Sequence, residues 1–248
     1  IREMEKQNGN SVIMEIRAGT GGEEAAIFAA DLFRMYSKFA QEQKWKIVIL
    51  DSNPTTLGGF KEIIAEITGL NCQKMLQNES GVHRVQRVPK TEKSGRVHTS
   101  TATVAILPKV SPLDIKINPA DLKVEFTRSS GPGGQNVNKL ETAVRLTHLP
   151  SGITVTCQSE RSQLQNREKA LEMLRAKLFE IQNRQQSSQI SDQRRQQIGS
   201  AERAEKIRTY NFPQNRLTDH RLGKSWHDLE NIMEGKLEKI IKTFEENK

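Results

Sequence analysis

The segment with the clearest chemical potential is a glycine-rich stretch. Three glycines and a proline occupy the four positions from Gly131 to Gly134, and the amide of Gln135 follows directly. Such a stretch cannot form a regular helix or a central strand. Glycine also reaches backbone angles closed to other residues and lets another molecule approach the main chain. Gln135 has no titratable side chain, so this loop can offer a backbone N–H to developing charge but no general base.

A second group of polar residues lies between positions 79 and 100. It contains Gln86, His98, Thr99 and the tripeptide Pro89-Lys90-Thr91. Threonine hydroxyls and a glutamine amide can both donate and accept hydrogen bonds. Single-stranded RNA is read by stacking and by hydrogen bonds to exposed base edges. The alternative is a threonine-rich strand with a structural histidine, since β-branched residues are common in strands.

The positive charge is concentrated in one part of the chain. The 248 residues carry a net charge of +8 with a pI near 9.5, and residues 161–224 alone contribute a net +7. A basic segment of this kind predicts a polyanionic partner, most simply RNA. The alternative is a well-solvated helix that binds no polyanion.

Several classes of protein fit the sequence poorly. No apolar run reaches the length of a membrane span, and the polar first residues predict no signal peptide. Cys72 and Cys157 are far apart and accompany no histidine cluster at metal spacing, which favours ordinary thiols in a reducing compartment. The five histidines are scattered and form no triad with a serine or cysteine. We therefore predict no metal and no cofactor.

Hydrophobic periodicity predicts a mixed succession of strands and helices. We expect strands at 12–17, 46–50, 97–107 and 122–126, a hairpin over 142–157, and helices over 23–43, from 160 onward, and over 225–245. The segment 60–67 is ambiguous between strand and helix, with strand favoured. A glutamine- and serine-rich stretch at 182–197 predicts an exposed or flexible extension.

Three strings of residues together resemble one known family. They are the run from Glu79 to Thr91 with Gly95 to Ser100, the glycine-rich loop, and the run from Arg208 to Gln214. In this order and spacing they are similar to bacterial-type class I peptide chain release factors over nearly the whole chain. Pro89-Lys90-Thr91 fits the Pro-x-Thr type, which reads UAA and UAG. The family also has an N-terminal helical domain, which we expect to be missing here.

The resemblance implies a multidomain α+β fold. A mixed α/β codon-recognition domain would cover residues 1–113, and a separate α+β domain presenting the Gly-Gly-Gln loop would cover residues 114–198. A third, C-terminal domain with helical structure, residues 199–248, would pack on the first domain.

The resemblance also implies roles for individual residues in codon reading. Thr91, in the loop with Pro89 and Lys90, would contact the first two bases of the stop codon. His98 would stack on the second base, and Gln86 and Thr99 would bond the third. Gly21 and Glu24, at the start of a helix, would read the first base.

In the second domain the resemblance assigns catalysis to the glycine-rich loop. Gly133, Gly134 and Gln135 would promote ribosome-dependent hydrolysis of the peptidyl-tRNA ester, without making the chain a stand-alone enzyme. Gln135 is also a candidate for N5-methylation of its side chain. Four basic residues would contact rRNA or form a switch between domains: Arg161, Arg203, Lys206 and Arg208. For the switch, a simple solvated hinge is the alternative.

The partners implied are the ribosome through the rRNA of both subunits, an mRNA stop codon and peptidyl-tRNA. A glutamine methyltransferase and a class II release-factor GTPase are further candidates. We expect a monomer in the bacterial cytoplasm without membrane contact, with an organellar homologue left open. Two rival functions are a codon-independent ribosome-rescue hydrolase, which would lack the recognition domain, and a non-catalytic RNA-binding protein.

Overall fold

The computed structural model describes residues 11–89, 92, 94–109, 117–127, 141–199 and 203–246. The chain divides into two compact units, residues 1–110 with 190–248 (unit 1) and residues 111–189 (unit 2). Each unit combines a β-sheet with helical structure, so the predicted multidomain α+β class is confirmed. Among the described helices, none has the length and apolar character needed to cross a bilayer.

The described elements follow each other in mixed order. The strands are β1 (Ser11–Ala18), β2 (Lys46–Pro54), β3 (Phe60–Thr68), β4 (Gly81–Arg87), β5 (His98–Pro108), β6 (Leu122–Thr127), β7 (Ala143–His148), β8 (Ile153–Cys157), β9 (Lys206–Asn211), β10 (Arg216–Asp219) and β11 (Lys224–His227). The α-helices are α1 (Glu23–Glu42), α2 (Cys72–Leu76), α3 (Gln163–Ile198), α4 (Leu229–Met233) and α5 (Glu238–Glu246). Short 3₁₀ turns cover Gln77–Glu79, Pro119–Asp121 and Arg203–Glu205.

Unit 1 is built on one eight-stranded sheet with the order β11-β10-β9-β4-β5-β1-β3-β2. All neighbouring strands are antiparallel except β4 and β9, which run parallel. The apolar stripe of α1, which includes Phe28, Leu32, Met35 and Phe39, is fully buried in the same core as the sheet. This stripe repeats every three to four residues, as a helix on a sheet requires.

The C-terminal segment is not a separate domain. Strand β9 pairs with β4, so residues 206–227 extend the first sheet and the chain forms two units, where three domains were predicted. The unit boundaries lie at 110/111 and 189/190, where 113/114 and 198/199 were predicted, and the second boundary falls within helix α3.

The predicted single helix over residues 225–245 is wrong. This segment forms β11, then α4, then α5, because Trp226 pairs with Leu217 of β10 and a break follows at Gly235. Gly235 has a φ of 100°, and a Cβ atom there would lie 2.7 Å from the backbone nitrogen of Phe39. Only glycine allows this close approach to α1.

Unit 2 is a three-stranded sheet with the order β6-β7-β8, packed with part of α3. Its core includes Val144, Leu146 and Val155 from the sheet and Leu174 from the helix. The buried positions of α3 recur every four residues: Asn166, Ala170, Leu174 and Leu178. Toward its C-terminal end α3 is a regular helix with mostly exposed residues, where the sequence predicted an exposed or flexible extension.

Candidate nucleic-acid interface

The end of β4 and the start of β5 bring three of the predicted base-reading residues to neighbouring positions. In the antiparallel register of these strands, Gln86 lies opposite Thr99 and Arg87 lies opposite His98. Gln86 and Thr99 are half-buried, while the His98 side chain is 46% exposed and its Nε2 lies 2.7 Å from Glu92 Oε2. The half-buried amide and hydroxyl at one register position can bond an unpaired base, and the exposed ring at the next position can stack on one.

Pro89, the first residue of the tripeptide, lies two residues after the end of β4. Pro89 is buried, and its carbonyl accepts a hydrogen bond of 3.1 Å from the backbone N–H of Glu92. Lys90 and Thr91 lie outside the described residues.

Backbone hydrogen bonds hold the start of helix α1 against the same hairpin. Gly19 N–H donates to the carbonyl of Thr101, and the Thr101 N–H donates to the carbonyl of Thr20. Gly21 has a φ of 136°, and a Cβ atom there would collide with the side chain of Ser100. The glycine that the sequence singled out is therefore required where the loop touches β5.

An arginine that sequence reasoning did not single out holds α1 and β4 together. Arg87 donates from Nε to Glu24 at 2.5 Å and from Nη1 to Asp31 at 2.7 Å, and its guanidinium lies 5.2 Å from the ring centroid of Phe212. Burial lowers the pKa of Arg87, but the hydrogen bonds to the two carboxylates outweigh it and raise the pKa above its ordinary value. The buried Glu24 is thus fixed beside the hairpin. Arg87 stood inside one of the quoted strings, but its partner Asp31 is 56 residues away in sequence.

The glycine-rich loop lies in the chain between β6 and β7. Gly133, Gly134 and Gln135 lie outside the described residues. On either side, Thr127 of β6 pairs with Ala143 of β7. The fully buried Asn166 donates from Nδ2 to the carbonyls of Thr142 and Glu160 at 2.8 Å, and its Oδ1 accepts from the Glu160 N–H at 2.9 Å.

The four predicted RNA-facing cations differ in their environment. Arg161 is exposed and Lys206 is half-buried, while the side chain of Arg203 lies outside the described residues. Arg208 is fully buried and bonded to Glu79 and Asp219. Its guanidinium is not accessible to RNA in this structure, so the prediction of an rRNA contact is corrected to a structural role, and the switch role stays a prediction.

The sequence matches two family models that together span most of the chain. The PCRF domain matches residues 2–104, and the RF-1 domain matches residues 110–221.

Release factors of several bacteria also match most of this chain. Peptide chain release factor 1 of Thermotoga maritima is 56% identical over 232 residues, which cover 94% of this chain and 68% of that protein. The chain belongs to the peptide chain release factor family. Peptide chain release factor 1 of Dictyoglomus thermophilum and that of Aquifex aeolicus are each 61% identical over 93% of the chain. The predicted family is thus confirmed.

A solved release factor has a similar structure. RF2 of Thermus thermophilus aligns with a TM-score of 0.57 and 38% sequence identity, covering 94% of this chain and 67% of that one. The present chain spans 63% and 64% of the length of the Dictyoglomus thermophilum and Aquifex aeolicus release factors.

Proposed function

We propose that this chain terminates translation by recognising UAA and UAG stop codons on the ribosome and promoting hydrolysis of peptidyl-tRNA. The observation that carries codon reading is the register that sets Gln86 opposite Thr99, next to the exposed His98. An amide N–H suits the N7 acceptor that both purines share, and a hydroxyl can donate or accept, which tolerates adenine or guanine at the third codon position. The stacked imidazole separates the second base from the third.

The first codon base is read at the start of α1. Gly21 and Glu24 lie there, fixed beside the hairpin by the backbone bonds to Thr101 and by Arg87. Thr91 completes the reading of the first two bases. The family match over residues 2–104 supports this recognition role and gives no support to the codon-independent rescue hydrolase.

Hydrolysis belongs to the second unit. Gly133 and Gly134 let the backbone N–H of Gln135 approach charge that develops on the ester oxygen or on the leaving 3′-hydroxyl. The Gln135 side chain excludes larger nucleophiles and positions water, and it is the site of N5-methylation. The RF-1 domain match over residues 110–221 supports this assignment.

The partners follow from this function. The chain binds the ribosome and peptidyl-tRNA as a monomer in the bacterial cytoplasm, with Arg161, Arg203 and Lys206 contacting rRNA. A glutamine methyltransferase and a class II release-factor GTPase act on or with it. The basic segment 161–224 supports contact with RNA.

The deciding experiment is release of formyl-methionine from ribosomes programmed with UAA, UAG, UGA or a sense codon. Release at UAA and UAG alone is the expected result. Release at every codon would support the rescue hydrolase, and binding without release at any codon would overturn the hydrolysis assignment.

Two substitutions at Gln135 test the hydrolysis mechanism. Gln135→Ala keeps the backbone N–H and retains much of the release rate, whereas Gln135→Pro removes this donor and lowers the rate on the order of a hundredfold or more. The same assay measures both, with ribosome binding as the control. Equal losses in the two variants would show that the side chain, not the backbone, carries the chemistry.

A further inference from the structure

Asn211 extends the pair of Gln86 and Thr99 onto a third strand of the sheet. In the parallel register of β4 with β9, Gln86 lies opposite Asn211, so Thr99, Gln86 and Asn211 stand at matched positions on three adjacent strands. Matched positions on neighbouring strands direct their side chains to the same face of the sheet. All three side chains are half-buried, within reach of a ligand.

Hydrogen bonds fix the direction of the Asn211 amide. Its Oδ1 accepts from the backbone N–H of Gln214 at 3.0 Å. A backbone N–H can only donate, so the oxygen must face Gln214 and the Nδ2 group must face Gln86. Asn211 Nδ2 then donates to Gln86 Oε1 at 3.3 Å. The Phe212 N–H also donates to the Gln86 carbonyl at 3.0 Å and holds the two strands together at this point.

This arrangement gives the Gln86 amide one polarity. Its oxygen is engaged by Asn211, and no acceptor among the described residues engages its Nε2 group. Gln86 therefore offers N–H donors to a ligand. Guanine presents two acceptors, N7 and O6, on one edge. On the same edge adenine presents one acceptor, N7, and one donor, N6.

We propose that Asn211 is a specificity residue that sets Gln86 as a hydrogen-bond donor toward the third codon base. This inference rests on the proposed function. The donor group of Gln86 suits both acceptors of guanine and the N7 of adenine, and the Thr99 hydroxyl accepts from the adenine N6 or donates to the guanine O6. Asn211 thereby supports the reading of UAG beside UAA.

Asn211→Asp reverses this polarity. The new carboxylate still accepts from the Gln214 N–H, but it repels Gln86 Oε1 and accepts only from Gln86 Nε2. Gln86 then turns its oxygen toward the base, where it suits the N6 donor of adenine and opposes the O6 of guanine. We expect kcat/KM for release at UAG to fall relative to UAA by roughly tenfold, the loss typical of one mispaired base edge. Asn211→Ala leaves both amide orientations open and gives an intermediate ratio.

The ratio of kcat/KM at UAG to kcat/KM at UAA separates a change in specificity from a general loss of activity. Gln214→Glu is the matched control, because it adds the same charge on the same turn and keeps the backbone N–H that orients Asn211. Its UAG/UAA ratio is expected to stay that of the unchanged protein, and thermal melting checks that each variant is folded.

Three results would overturn the inference. They are an unchanged ratio in Asn211→Asp, an equal loss at both codons, and the same ratio shift in Gln214→Glu. If the unchanged protein releases peptide at UAA and UAG in these cases, the proposed function stands and only the role of Asn211 falls. If it releases at no stop codon, both fall.

Discussion

At the scale of single residues, His83 shows how burial fixes a protonation state. The ring is fully buried, with Nε2 at 2.9 Å from the Glu79 carbonyl and Nδ1 at 3.1 Å from the Tyr210 hydroxyl. Because a carbonyl only accepts, Nε2 carries the proton and Nδ1 accepts from Tyr210. Burial, helped by the nearby Arg208, lowers the pKa of His83 from 6.5 to about 4. The histidine is therefore neutral in the folded protein.

This lowered pKa predicts an acid-sensitive stability. Below pH 6.5 the unfolded chain takes up a proton at His83 that the folded protein refuses until about pH 4, so the free energy of unfolding falls across this window. The loss is at most about 3 kcal/mol, from the size of the pKa difference. Urea unfolding of the protein and of His83→Gln at pH 7 and pH 4.5 measures it, and the variant should lose less on acidification.

His227→Gln provides the control, because His227 is exposed on β11. Its loss between the two pH values should equal that of the unchanged protein. The pKa argument would fail if His83→Gln showed the same acid sensitivity as His227→Gln.

At the scale of elements, Arg208 joins three parts of unit 1 through one buried guanidinium. From β9 it donates to Glu79 in the 3₁₀ turn before β4, at 2.7 Å from Nη2, and to Asp219 of β10 at 2.9 Å from Nε. Burial raises the pKa of Asp219, but hydrogen bonds from Arg221 and Arg208 outweigh it and hold the pKa below its ordinary value. Tyr36 of α1 adds a hydroxyl donor to Glu79 at 2.9 Å. The network links the C-terminal strands to the first part of the chain.

Removing this cation should destabilise unit 1 strongly. Arg208→Met leaves the buried carboxylate of Glu79 without a cation and removes one of the two arginines bonded to Asp219, which costs about 3–5 kcal/mol in the free energy of unfolding. Denaturant unfolding followed by tryptophan fluorescence measures it. Lys74→Met is the control, since the ion pair of Lys74 with Glu245 is exposed and contributes about 1 kcal/mol or less.

The competing assignment predicts a different result. If Arg208 contacted rRNA, Arg208→Met would leave the unfolding midpoint unchanged and weaken the salt dependence of ribosome binding. That outcome would restore the role inferred from the sequence.

The elements that the sequence predicts well are those whose pattern is local. The helix expected over 23–43 is observed as Glu23–Glu42, and the strand expected over 12–17 as Ser11–Ala18, because each carries its own hydrophobic period. The prediction for the C-terminal segment failed because Trp226 belongs to a strand and pairs with Leu217. Hydrophobic periodicity cannot show such a contact.

In the candidate site, too, some residues could be predicted from the sequence, whereas contacts between distant residues could not. The family resemblance singled out Gln86, His98 and Thr99, which lie at one end of the β4–β5 hairpin. The burial of Arg208 was not predictable, because its partner Glu79 is 129 residues away in sequence. The same holds for the contact of Arg87 with Asp31.

At the scale of the whole molecule, the two units have separate hydrophobic cores. One core lies between α1 and the eight-stranded sheet, and the other lies between α3 and the three-stranded sheet. Units with their own cores can unfold as separate cooperative steps, so a single two-state transition is not expected. The chain contains two tryptophans, Trp45 and Trp226, and both contact the first core. Tryptophan fluorescence therefore reports on unit 1, while far-ultraviolet circular dichroism reports on both units.

This placement of the tryptophans makes independent unfolding measurable with one substitution. Leu174 is fully buried in the core of unit 2, so Leu174→Ala should lower the stability of that unit by about 2–5 kcal/mol. The circular dichroism signal should then show an earlier transition, while the fluorescence midpoint stays in place. Leu164→Ala, on the same helix but 64% exposed, should move neither signal. An equal shift of both signals in Leu174→Ala would mean that the two units unfold as one cooperative body.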